Sequence, residues 1–388
     1  MTMKKKAKPL ETQIRILQKE NSELQERVYE SEIIRDKVME LKESGLNIPQ
    51  WVVNTKKDEN HNIPVLFISD IHYGENINPN SIDEINCYNK DVANKRIERM
   101  TSRVIRKLKD HNENYPGIVL CRGGDFISGD IHKELKETND LPALPATTEL
   151  AAQEIRMIEH FKKAFKNVWI ISVFGNHGRN VEKPQSKLNY EHSYDVITTM
   201  FIEKHFEDDE NVSFYTPKSG DAYFNIFDHT FLLTHGDRIG SRGGKGFIGV
   251  SATIARGQHK VRQSYAQIKK PIDYLLIGHF HSPIQLEHTL ANGCLVGYSE
   301  FARDLRIEPE EASQTLFMVN PKYGVIDICK IIVSDMKEDL QIYKNSKINH
   351  IQDSVSITPD WIKKRFPKLT RIYKTPERGP DGKFLKKS

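Results

Sequence analysis

The sequence predicts an α/β protein in which buried strands deliver polar side chains to one edge of a sheet. Three observations predict it. Five apolar runs rich in β-branched and aromatic residues lie in order along the chain: Val65–Ile68, Ile118–Leu120, Val168–Ile171, Phe231–Leu233 and Tyr274–Ile277. Such short unbroken runs read as strands buried on both faces. Each is followed within a few residues by a polar cluster: Asp70-Ile71-His72, Gly124-Asp125, Gly175-Asn176-His177, Thr234-His235-Gly236 and Gly278-His279-Phe280-His281. Open α/β sheets place their ligands at that edge. Finally, 388 residues are enough for one large α/β domain with extensions.

From the N-terminus, residues 11–43 contain neither Pro nor Gly and are rich in helix formers. A heptad fits the first part, with Ile14, Asn21 and Val28 at a and Leu17 and Leu24 at d. One Asn at an a position favours in-register parallel pairing. Residues 1–45 are therefore read as a helix and a candidate coiled coil supporting a homodimer. The alternative is a single amphipathic helix packed on its own domain. Ser44-Gly45 and Pro49 end it.

The five clusters occupy residues 46–335, the expected catalytic domain. Carboxylate, amide oxygen and imidazole suit Mn, Fe or Zn, whereas an all-oxygen set suggests Mg or Ca. Cys87, Cys121, Cys294 and Cys329 lack CxxC spacing, which argues against a thiolate zinc site. Any lone His or Asp near a strand end is ordinarily a hydrogen-bonded loop residue. Five clusters in sequence, each after a strand, favour two divalent metal ions.

At these residues the chain resembles the calcineurin-like metallophosphoesterase superfamily, whose signature is D-x-H, G-D, G-N-H, H and G-H-x-H. The resemblance covers roughly residues 62–335. It implies a four-layer sandwich of two facing β-sheets flanked by helices. By the resemblance, Asp70, His72 and His281 bind a first metal, Asn176, His235 and His279 a second, and Asp125 bridges them. It also implies that a shared hydroxide attacks the phosphoester, the two metals lying about 3.5–4 Å apart. His177 then faces the scissile phosphate as general acid or charge stabiliser. Manganese is the expected metal, with Fe or Zn as alternatives. The family has an acidic residue directly after G-N-H, where this chain has Gly178 and then Arg179. Either another carboxylate orients His177, or the site relies on Arg179 for the phosphate.

Charge distribution bears on the substrate. The net charge is +4, yet residues 361–388 hold ten Lys or Arg against Glu377 and Asp381, a local +8 interleaved with Trp361, Phe366, Tyr373 and Phe384. The C-terminal extension, residues 336–388, reads either as a nucleic-acid-binding arm or as a solubilising tail. Residues 238–272, between His235 and His279, contain eight Lys or Arg, including Arg242 and Lys245, and no acidic residue. Flanked by ligands, this insert is expected near the metals, with Arg179, Arg242 and Lys245 as substrate contacts.

The first reading is thus a phosphodiesterase acting on nucleic acid. Ser69-Asp70-Ile71-His72-Tyr73-Gly74 is similar to the first motif of DNA exonuclease subunits, and a basic chain of this kind suits phage-encoded phosphoesterases. The alternatives are a phosphomonoesterase or small-nucleotide phosphodiesterase, and a non-catalytic assembly protein. The basic start lacks an apolar signal region, and no stretch approaches a membrane span, so a cytoplasmic location is expected, the host cytoplasm if phage-encoded. His132, His192, His205 and His288 read as structural, Asp130–Leu144 as a surface excursion, and 315–328 and 222–234 as hairpins.

Overall fold

The computed structural model describes residues 46–53, 62–111, 114–181, 183–239 and 249–346. The chain divides into two compact units, residues 1–42 and 43–388, and every described residue belongs to the second. The candidate coiled coil in residues 1–45 and the basic stretch 361–388 lie outside the described residues.

A short helix α1 (Gln50–Val53) precedes β1 (Ile63–Ile68), and α2 (Lys90–His111) connects β1 to β2 (Ile118–Arg122). Helices α3 (Lys133–Thr138) and α4 (Ala143–Phe165) lead to β3 (Val168–Ser172), and α5 (Tyr194–His205) leads to β4 (Val212–Tyr215). These four strands are parallel neighbours, as helical crossovers allow. A second sheet begins with the hairpin β5 (Asp221–Ile226) and β6 (His229–Thr234), then continues through α6 (Gly249–Gln267), β7 (Tyr274–Ile277), β8 (Ile284–Leu286) and β9 (Thr289–Ala291). Its order is β5-β6-β7-β9-β8. After α7 (Glu300–Asp304), the hairpin β10 (Ser313–Asn320) and β11 (Gly324–Ile332) returns to the first sheet, and α8 (Met336–Asn345) follows. The first sheet is then ordered β11-β10-β1-β2-β3-β4.

The period of two along each strand explains why the runs are apolar throughout. Val65, Phe67, Val119, Trp169, Ile171 and Phe317 of the first sheet share one buried cluster with Phe224, Ile226, Phe231, Leu233 and Leu276 of the second. The two sheets therefore face each other, with Trp169 edge-on to Phe224 at 5.7 Å and Phe231 stacked with Phe317 at 6.4 Å. The outward residues Leu232, Leu275 and Ile277 of the second sheet pack with Ile254 of α6. On the other side α4 packs against α2, α5 and β3, and α2 against α8 and β11. These are the four layers that the resemblance implies. Both expected hairpins form. Asp130–Leu144 is only half an excursion: α3 buries no side chain, but Asn139, Asp140 and Leu141 turn inward, where Asn139 Nδ2 donates to Gly129 O at 2.8 Å.

Two buried guanidiniums brace the edge that carries the polar clusters. Arg122, at the end of β2, forks onto Glu154 of α4 at 3.0 and 2.5 Å and donates to Ser172 and Thr199 hydroxyls. Arg96 of α2 donates to Asp339 at 3.0 Å and to the carbonyls of Leu295 and Val296, two residues from the loop that receives Asp70. Helix α8, at the head of the expected C-terminal extension, is therefore tied into the same body by the fully buried Asp339.

Breaking a buried pair leaves an uncompensated charge, typically about 3–5 kcal/mol. Asp339→Ala should lower the unfolding free energy by that amount in a urea titration. A loss under about 1 kcal/mol would show that Arg96 does not depend on α8.

Candidate metal centre

Strand register brings the clusters together. Ile68 pairs with Arg122, and Arg122 with Ser172, so Asp70, Asp125 and Asn176 emerge two to four residues beyond one level edge. In the second sheet Thr234 pairs with Ile277, which brings out His235 and His279 together. The loops then zip to one another: Asp70 N donates to Gly124 O, His72 N to Asp125 O and Gly278 N to His235 O, at 2.8–3.0 Å. Asp70, His72, Asp125, His279 and His281 all take left-handed backbone angles, φ 48–67°. Such conformations cost on the order of 1–3 kcal/mol each and persist only where the surroundings over-determine them. At the tightest point a Cβ on Gly175 would stand 2.0 Å from Asp125 Oδ1, so only glycine fits.

Two groups of donor atoms result, each within 4.8 Å: Asp70, His72 and His281, and Asp125, His235 and His279. In the first, His72 Nε2 faces His281 Nε2 at 3.1 Å, and His281 Nε2 lies 3.4 Å from Asp70 Oδ1. In the second, His235 Nε2 lies 3.1 Å from Asp125 Oδ2 and 3.2 Å from Asn176 Oδ1. Asp125 Oδ2 is also 3.9 Å from His72 Nε2, so this one oxygen lies between the groups. His235 Nδ1 donates to Gly123 O at 2.8 Å, which fixes Nε2 as the nitrogen turned inward. Converging lone pairs on nitrogen and carboxylate oxygen fit two cations.

The electrostatics agree. Burial works against ionising Asp70 and Asp125, yet the histidines hold both below the usual carboxylate range, Asp125 far below. Burial likewise opposes charge on His235, but Asp125 overcomes it and raises His235 to about 10. Burial and the charge of His235 push His279 down to about 4. In the first group, burial and the neighbouring histidines hold His72 well below its ordinary value, while Cys294 and Asp70 raise His281 against burial. Affinity for a proton is thus raised at one histidine of each group, His281 in the first and His235 in the second.

His177 N donates to Asp125 Oδ1 at 2.7 Å, and its ring lies 4.5 Å from that of His72. Its Nδ1 donates to Ser128 O at 3.0 Å, so a backbone carbonyl orients it, neither a carboxylate nor Arg179. Burial lowers its pKa. Arg179 sits beside the site, donating to Asn176 O at 2.9 Å and Val181 O at 3.2 Å. Arg242 and Lys245 lie outside the described residues. Of the rest of the basic insert, Gly249–Gln267 forms α6, and its Arg262 donates to the carbonyls of Ile272, Asp273 and His288, at the start of β7 and so away from His279.

Sequence reasoning missed several neighbours. Ser69 Oγ donates to Asp70 Oδ2 at 2.5 Å. Glu75 Oε2 lies 3.6 Å from His72 Nδ1, a buried nitrogen with no hydrogen-bond partner, and burial pushes Glu75 up to about 7. The i,i+3 spacing from His72 was the available signal. The ring of His132, read as structural, stands 6.1 Å from that of His177. Asp195 accepts backbone hydrogen bonds from Asp125, Phe126 and Gly175. Burial and the charge of Asp125 push it up to about 6 against those bonds.

Because ligands bind deprotonated, cation uptake must expel protons. Below about pH 10, the value that His235 reaches, a cation competes with a proton there. Apparent affinity should therefore rise as pH rises, by up to about tenfold per unit. Calorimetric titration with Mn2+ in two buffers of different ionisation enthalpy should show net proton release at pH 7. No release would contradict the charge pattern.

Neither a family model nor a curated protein sequence matches the chain. Among solved structures, it is similar to a conserved Streptococcus pneumoniae protein described as a predicted phosphoesterase, with 10% identity and a TM-score of 0.23 over 69% of this chain and 98% of that one. It is also similar to a dimetal phosphatase from Danio rerio, with 10% identity and a TM-score of 0.33 over 70% of this chain and 99% of that one. The chemistry of the site stands on this chain's own residues.

Proposed function

We propose that the chain is a two-metal phosphoester hydrolase of the calcineurin-like metallophosphoesterase type, acting on phosphodiester bonds of nucleic acid. The observation that carries the reading is Asp125 Oδ2, placed between two Asp/His groups. Asp70, His72 and His281 would hold one ion, and His235, His279 and the Asn176 amide oxygen the other, with Asp125 shared. Two divalent cations so placed, with manganese suited to this donor set, would supply Lewis-acid polarisation of a phosphoryl group and a water acidified toward neutrality.

The chain's own contribution begins with His177. Its Nδ1 proton is committed to Ser128 O, so Nε2 alone exchanges a proton with a departing oxygen. Asp125 fixes the His177 backbone by accepting its N–H. Arg179 holds the Asn176 carbonyl and keeps a guanidinium beside the reacting group. The five left-handed residues hold the donor atoms in place before substrate arrives, so little reorganisation remains for the reaction.

Nucleic acid as substrate rests on charge. Arg238 follows the ligand His235 by three residues, with Arg242 and Lys245 close behind, and residues 361–388 carry a net +8. Phosphate backbones select such surfaces. Arg262 of α6 adds no support, because it binds protein carbonyls at the far edge.

Asp125→Asn should abolish hydrolysis of every substrate, because both groups lose the anionic carboxylate they share. His177→Ala should lower kcat by about 10²–10⁴-fold while leaving cation uptake unchanged. A panel of single-stranded DNA, duplex DNA, RNA and p-nitrophenyl phosphate with Mn2+ tests the substrate. Cleavage of a polynucleotide, weakened by salt and by deleting residues 361–388, is expected. Hydrolysis of p-nitrophenyl phosphate alone would leave a phosphomonoesterase and end the nucleic-acid reading.

A further inference from the structure

We propose that Asp195 is the positioning residue that holds the second cation site together, and that it does so from the place a side chain at position 178 would otherwise fill. The proposal rests on the two-metal reading. Asp195 lies in the first turn of α5, 1% exposed. Its Oδ2 accepts the N–H of Asp125 and of Gly175, both at 2.9 Å, and its Oδ1 accepts the N–H of Phe126 at 3.1 Å. Those three amides belong to the loops after β2 and β3. One loop carries Asp125, and the other carries Asn176 and His177.

A carboxylate suits this position because it offers only acceptors, and three donors converge on it. The amide of Asn would turn an N–H toward another N–H. The His177 N–H bond to Asp125 Oδ1 also joins these loops; Asp195 adds three more bonds across them and so helps set the distance from Asp125 Oδ2 to Asn176 Oδ1 around His235 Nε2. The first group, Asp70, His72 and His281, comes from other loops and is joined to the segment Asp195 holds by backbone bonds, Asp70 N to Gly124 O and His72 N to Asp125 O.

Gly178 supplies the second half of the inference. A Cβ there would stand 2.6 Å from Asp195 Oδ1 and 2.7 Å from its carboxyl carbon. The φ of Gly178 is not left-handed, so the backbone does not demand glycine; the carboxylate does. Tyr194 N donates to Gly178 O at 2.7 Å, so the chain leaves at 178 and returns at 194 beside the same space. Either position can deliver a carboxylate to the three amides, but not both.

Calorimetric titration with Mn2+ tests this on the full chain. Wild type is expected to take up two ions. Asp195→Asn should bind one ion at least about tenfold more weakly and the other within about threefold of wild type, as losing the partner that orients a ligand does. Asp195→Gly and Gly178→Asp alone should share that defect, and the double variant Gly178→Asp/Asp195→Gly should recover the weaker site to within a few-fold. Melting curves of the metal-free variants separate misfolding from loss of the site. Two ions with unchanged affinities in Asp195→Asn would overturn the proposal alone. So would equal weakening of both ions with a lowered melting temperature and no recovery in the double variant. Fewer than two ions in wild type would overturn the two-metal reading, and this proposal with it.

Discussion

The carboxylate half of the site follows from the parallel pairing of β1, β2 and β3. Because Ile68, Arg122 and Ser172 stand level, three loops leave the sheet at one height and can exchange backbone hydrogen bonds directly. A slip of one residue would turn the inward Val65, Phe67, Val119 and Trp169 outward. It would also move Asp125 by about 3.3 Å relative to Asp70, enough to separate donor atoms now within 4 Å. The apolar cluster between the sheets therefore sets the geometry of the polar site at their edge.

That geometry is maintained against two opposing forces, left-handed backbone at five donor residues and several charged groups away from water. Neither is tolerated singly. The loop-to-loop bonds hold the first in place, and Arg122 with Glu154 and Arg96 with Asp339 give the surrounding frame fixed, charge-matched joints. The apolar core supplies the driving force, and the ion pairs restrict which arrangement that force selects.

The strands and five clusters were legible in the sequence because both signals are local: an unbroken apolar run, then donors within a few residues. The layers were less so, since a run buried on both faces does not say what covers it. Asp195 was illegible. Its partners lie 20, 69 and 70 residues away, and an Asp in the first turn of a helix is unremarkable in itself. Gly178 was visible as a departure, but its reason appears only when α5 is folded back. The course of the insert was equally illegible, since the ligands His235 and His279 say nothing of the 19-residue helix between them, which spans about 28 Å and whose Arg262 reaches the start of β7.

The meeting of Gly178 with Tyr194 also bears on how this protein can change. Residues 179–193 form a closed detour whose two ends are already joined by the Tyr194–Gly178 bond and the Arg179–Ser193 bridge. For such a pinched segment, doubling the length adds only about 0.6 kcal/mol of closure entropy. The stretch between Arg179 and Ser193 is therefore an exchangeable part, open to insertion or replacement while Arg179 and the metal donors keep their places. New selectivity can arise there by grafting, without renegotiating the chemistry.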